Sequence, residues 1–123
     1  MFWKKEIKEK PQGVNWSVLD SIDQLKTIES ESTEQPVLIY KHSTRCGISG
    51  MTMNRLERTW SDELNHIKTY YLDLISFREI SNEIASRFGV YHESPQVLLI
   101  KDGRSVYDAS HMDIKVDSIL SHS

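Results

Sequence analysis

Hydrophobic residues fall along this chain in runs and stripes whose spacing changes several times, and each change marks an element. Ser17 is a candidate N-cap with Asp20 three residues on, opening a helix whose apolar positions include Val18, Ile22, Leu25 and Ile28. The polar stretch Glu29 to Gln35 reads as a loop, and Pro36 leads into Val37-Leu38-Ile39-Tyr40. A continuous apolar run of that length predicts a strand buried on both faces. Met53, Leu56, Trp60 and Leu64 recur at helical spacing, and Lys68 to Asp73 reads as a second strand. Ser76 with Glu79 is a capping-box pair before a helix face of Phe77, Ile80, Ile84 and Phe88. Gly89 suits the left-handed end of that helix. Gln96 to Ile100 predicts a third strand. Asp102-Gly103 is a hairpin signal, so Ser105 to Ala109 should return antiparallel. Asp113 to Leu120 predicts a short closing helix.

This order predicts an α/β fold with a central mixed sheet and helices on both faces. Four strands are expected, or five with a short extra strand before Ser17. Residues 1–13 are charge-rich and are expected to be a loosely ordered lead-in, and residues 14–123 a single domain. Lys plus Arg is 15 against 18 for Asp plus Glu, a net charge of −3 that argues against a nucleic-acid binder. No apolar run approaches the length of a membrane span, and the opening Met1-Phe2-Trp3-Lys4-Lys5 lacks the apolar core of a secretory signal. The expected address is the cytoplasm.

One count changes the chemical picture: there is 1 cysteine, Cys46. It can form no disulfide within the chain, and it cannot complete a four-cysteine metal site alone. Cys46 falls where the first buried strand hands over to a helix. Free amides of a first helical turn and the helix dipole favour a thiolate there, and Arg45, Lys41 and His42 can add positive potential. Ser49 lies three positions on, one helical turn away, with a hydroxyl suited to the same sulfur. A lone cysteine also serves as a small buried hydrophobe, but Thr44, Arg45, Gly47 and Ser49 are polar or small. His42 and Cys46 are too few ligands for a metal site, so none is expected.

The C-x-x-S pattern after a strand–helix turn resembles the monothiol form of the thioredoxin and glutaredoxin site, with Ser94-Pro95 where that superfamily places a cis-proline loop. The longer wording is more specific. His42-Ser43-Thr44-Arg45-Cys46-Gly47-Ile48-Ser49, Tyr71-Leu72-Asp73-Leu74, Arg78-Glu79-Ile80-Ser81-Asn82, His92-Glu93-Ser94-Pro95-Gln96 and Ser110-His111 resemble the YtxJ family. These are the monothiol bacilliredoxins of bacillithiol-using Gram-positive bacteria, and the resemblance runs from about Trp16 to Leu120. It implies a thioredoxin-like fold and a thiol–disulfide oxidoreductase that reduces protein–bacillithiol mixed disulfides. Cys46 would be the nucleophile, and Arg45, Gly47, Ile48 and Ser49 would stabilise its thiolate. Thr44, Ser94, Pro95, Gln96, Ser110 and His111 would bind substrate. Bacillithiol is then a co-substrate, with no tightly bound cofactor. The partners are bacillithiolated client proteins and an external resolving thiol or bacillithiol disulfide reductase. Gly47 departs from the proline expected at that position. The resulting C-G-x-S is similar to that of monothiol glutaredoxins, which can hold an iron–sulfur cluster between two subunits. A cluster-binding carrier is the alternative.

Overall fold

The apolar run beginning at Val37 becomes the middle of a sheet. A computed structural model of the chain describes residues 14–45 and 47–123; the expected lead-in and Cys46 itself lie outside the described residues. The strands are β1 (Ser17–Val18), β2 (Val37–His42), β3 (Lys68–Asp73), β4 (Gln96–Lys101) and β5 (Arg104–Ser110). The helices are α1 (Gln24–Glu31), α2 (Gly47–Thr59), α3 (Arg78–Phe88) and α4 (Val116–His122), with 3-10 turns at Asp62–Leu64 and His111–Asp113. The sheet order is β1-β3-β2-β4-β5. β2 is parallel to β3 and antiparallel to β4, and β5 closes the far edge as a hairpin.

Because side chains alternate along a strand, β2 feeds two cores. Val37 and Ile39 pack with Leu25 and Ile28 of α1 and Ile80 and Ile84 of α3. Leu38 and Tyr40 pack on the other face with Leu56 of α2 and Ile119 of α4. The mixed sheet with helices on both faces is the expected architecture.

Several boundaries differ from the pattern reading. Ser17 caps no helix: Ser17 and Val18 pair with Tyr70 and Tyr71 as the fifth strand, and α1 starts at Gln24. Backbone pairing to the open edge of β3 takes precedence over the local capping signal. Ser76 does not cap α3 either, since its hydroxyl donates to Asp73 Oδ2 at 3.0 Å and the helix begins at Arg78. The stripe through Leu64 is not one helix. α2 ends at Thr59, and Leu64 reaches the core from a separate 3-10 turn. The closing helix also begins later than expected, at Val116. Gly89 and the Asp102-Gly103 turn behave as the sequence implies, with φ of 67°, 53° and 77°.

Candidate active site at the carboxyl end of β2

Three strand pairings define the end of the sheet where chemistry is expected. Lys41 of β2 sits beside Gln96, Gln96 beside Ser110, and on the other side His42 is paired with Asp73. Thr44, Ser94, Pro95, Gln96, Ser110 and His111 therefore gather at one edge with the start of α2. The Ser94–Pro95 bond is cis, and the His111 amide donates to the Pro95 carbonyl at 3.1 Å. That bond ties the turn after β5 to the loop before β4. Gln96 is held by its own loop, donating to the Tyr91 carbonyl at 2.8 Å. Ser94 differs: its Oγ is buried and has no hydrogen-bond partner among the described residues.

Gly47 is the first residue of α2, so Cys46 immediately precedes the helix in the chain, and no acidic residue occupies the first turn. The unsatisfied amides of that turn favour an anion. Thr44 and Arg45 are exposed in the preceding turn. A Cβ at Gly47 would meet no heavy atom within 4 Å, so space does not demand glycine there.

Ser49 is fully buried, and its hydroxyl meets partners within the fold. The Ser43 amide donates to Ser49 Oγ at 3.1 Å, and His42 Nδ1 lies 2.7 Å from the same oxygen. Tyr40 donates its hydroxyl to the Ser49 carbonyl at 3.1 Å. A hydroxyl has one proton. Ser49 gives it to a bare Nδ1, or accepts from a protonated Nδ1 and keeps its own for another acceptor. His42 thus governs the donor that the sequence reserved for sulfur. Its pKa is lowered by burial, against the opposing pull of Asp73 and Glu57. Its ring stands 5.6 Å from Tyr71, and Trp16 closes the cluster by donating Nε1 to Glu57 at 2.8 Å.

Lys41 has a different position from the one its sequence suggested. It shares the α1/α3 face with Val37 and Ile39, turned away from α2. Its amine is buried and donates to the Ser81 carbonyl at 3.2 Å, while Ser81 Oγ meets His92 Nδ1 at 3.2 Å. The positive potential expected of Lys41 is therefore directed into the fold beneath α3. The apolar run ends at Tyr40, two residues short of the end of β2. Extending β2 to His42 by alternation was the available signal for both faces.

The sequence model of the family described as monothiol bacilliredoxin BrxC matches residues 17–119. The chain belongs to that family. Bacilliredoxin membership supports a thiol redox function for the chain, and solved structures agree on the frame. A structure described as having a thioredoxin fold, and provisionally as an oxidoreductase, is similar at 32% identity. It covers 85% of this chain and 90% of its own, with a TM-score of 0.73. Thioredoxin of Malassezia sympodialis is 20% identical over 94% of this chain and 95% of that one, TM-score 0.69. Thioredoxin of Fasciola hepatica is 19% identical over 86% and 98%, TM-score 0.66. The last two show the thioredoxin fold. No helix among the described residues is long and apolar enough to cross a membrane.

Proposed function

We propose that this bacilliredoxin reduces mixed disulfides between client proteins and bacillithiol through Cys46, in the cytoplasm. The observation that carries the reading is the family match spanning a chain whose sole thiol directly precedes α2. The Cys46 thiolate attacks the bacillithiol sulfur, the client–bacillithiol S–S bond breaks, and the client leaves as a thiolate that water protonates. Cys46 is left in a mixed disulfide with bacillithiol. A second cysteine is lacking, so an external thiolate must attack that adduct at the bacillithiol sulfur and release Cys46 as thiolate. The external thiol and bacillithiol leave as a disulfide, which a bacillithiol disulfide reductase would return to thiols. Arg45 and the amides of Gly47 and Ile48 favour the attacking anion, and Ser94 supplies a buried hydroxyl in need of a partner. Thr44, Pro95, Gln96, Ser110 and His111 frame the substrate edge.

Intact-mass measurement tests this. Mixed with a bacillithiolated client, the protein should gain one bacillithiol on Cys46, the client should lose it, and Cys46→Ala should do neither. Turnover retained in Cys46→Ala would end the reading. Visible absorption of anaerobically purified protein, absent in Cys46→Ala, would favour the cluster carrier instead.

A further inference from the structure

A groove of about 470 Å³ runs between α2 and the turn after β5. Ile48, Met51, Arg55 and Arg58 line it from one face of α2, with His111 and Met112 opposite. Positions 48 to 58 span about 15 Å of helix. Its composition is graded. The end beside the nucleophile is apolar and open, with Ile48 51%, Met51 72% and Met112 64% exposed. The far end carries two guanidinium groups. Arg55 donates to the Ile114 carbonyl at 2.6 Å, and neither arginine has a carboxylate partner among the described residues. Two unpaired cations on one groove are notable in a chain where acids outnumber bases 18 to 15. Methionine side chains are polarizable and flexible, and so accept apolar groups of many shapes.

We propose that this groove docks the client polypeptide, through a segment with an apolar side chain near the modified cysteine and acidic side chains several residues further on. The apolar group packs on Ile48, Met51 and Met112, and the acidic groups meet Arg55 and Arg58. The groove begins two residues after Cys46, so a docked segment presents its disulfide to the nucleophile. This deepens the reductase reading and rests on it, adding a preference among clients that comes from the polypeptide and not from the small thiol.

The test uses peptides of equal length with one cysteine bridged to mercaptoethanol, an uncharged thiol. One peptide carries leucine and then aspartates, one leucine and then lysines, one only glycine and serine. The rate of Cys46 attack should be about fivefold higher for the acidic peptide than the basic one at low salt, the scale of exposed ion pairs. The ratio should approach one near ~0.5 M salt, where such pairs are screened. Arg58→Glu should bring it to about one, because Arg55 remains, and Met112→Asp should slow both leucine peptides toward the glycine–serine rate. Equal rates for the acidic and basic peptides, or a ratio unchanged in Arg58→Glu, would overturn the proposal. So would competition by free malate without any peptide preference, which would put a small acid in the groove. Failure of the bacillithiol reading shows separately, as bacillithiol adducts attacked no faster than mercaptoethanol adducts, and leaves the peptide ratio readable.

Discussion

Lys41 is an amine without exposed surface that donates to the Ser81 backbone carbonyl, and burial lowers its pKa from 10.5 to about 8. The unfolded chain keeps its proton up to the ordinary value. Between pH 8 and 10.5 the unfolded state therefore binds more protons than the native one, and stability must rise with pH across that window. Below pH 8 the full penalty is present, on the order of 3 kcal/mol. Tyr70 opposes this at the alkaline end. Burial, then its hydrogen bond to Glu31, raises its pKa, so the native state holds that proton after the unfolded chain has lost it. Urea unfolding should show stability climbing from pH 8 toward about 10 and then declining. Lys41→Met should raise stability at pH 7 by about 2 kcal/mol and abolish the climb. A climb that persists in this variant would assign it to another group.

Among the elements, the turn after β5 departs most from ordinary backbone preference. His111 has a φ of 54°, a left-handed conformation that costs a side-chain-bearing residue roughly 1 kcal/mol. Asp102 shares that sign, but in a hairpin turn where a short polar side chain is tolerated. His111→Gly should raise the melting temperature by several degrees, the scale of about 1 kcal/mol in a domain this small. It should also slow reduction of peptide disulfides, because the side chain lining the groove is gone. A variant that gains no stability would show that His111 carries no strain. The sequence did not announce this turn. Ser110-His111 came forward through family resemblance alone, because a left-handed histidine leaves no trace in hydrophobic spacing. Strand cores, the Gly89 cap and the hairpin were legible because each rests on neighbours in sequence. β1 and the start of α3 were not, since Ser17 answers to Tyr70 across the sheet and Ser76 to Asp73. The same limit hid the contact between His42 and Ser49: a ring 2.7 Å from Ser49 Oγ is separated from it by seven positions. The groove was equally hidden, because α2 and Met112 meet only after the hairpin has folded back.

At the scale of the molecule, two adjacent strands, β2 and β4, belong to both hydrophobic cores. β2 is paired along both edges and covered on both faces, whereas β1 contributes two residues at one sheet edge and β5 lies at the other with alternate residues exposed. Exposing the amides of β2 to solvent requires both cores to separate, so they should exchange hydrogen for deuterium only through global unfolding. The amides around Ser94, His111 and Met112 sit where neither core reaches and should exchange many times faster. Exchange monitored by NMR or mass spectrometry would read this contrast, and uniform protection would refute it. The loops proposed to receive a client can then open and close repeatedly during the lifetime of a single folded molecule. The strand leading to Cys46 keeps its place throughout, so the proposed exchange of disulfides would proceed without the scaffold ever coming apart.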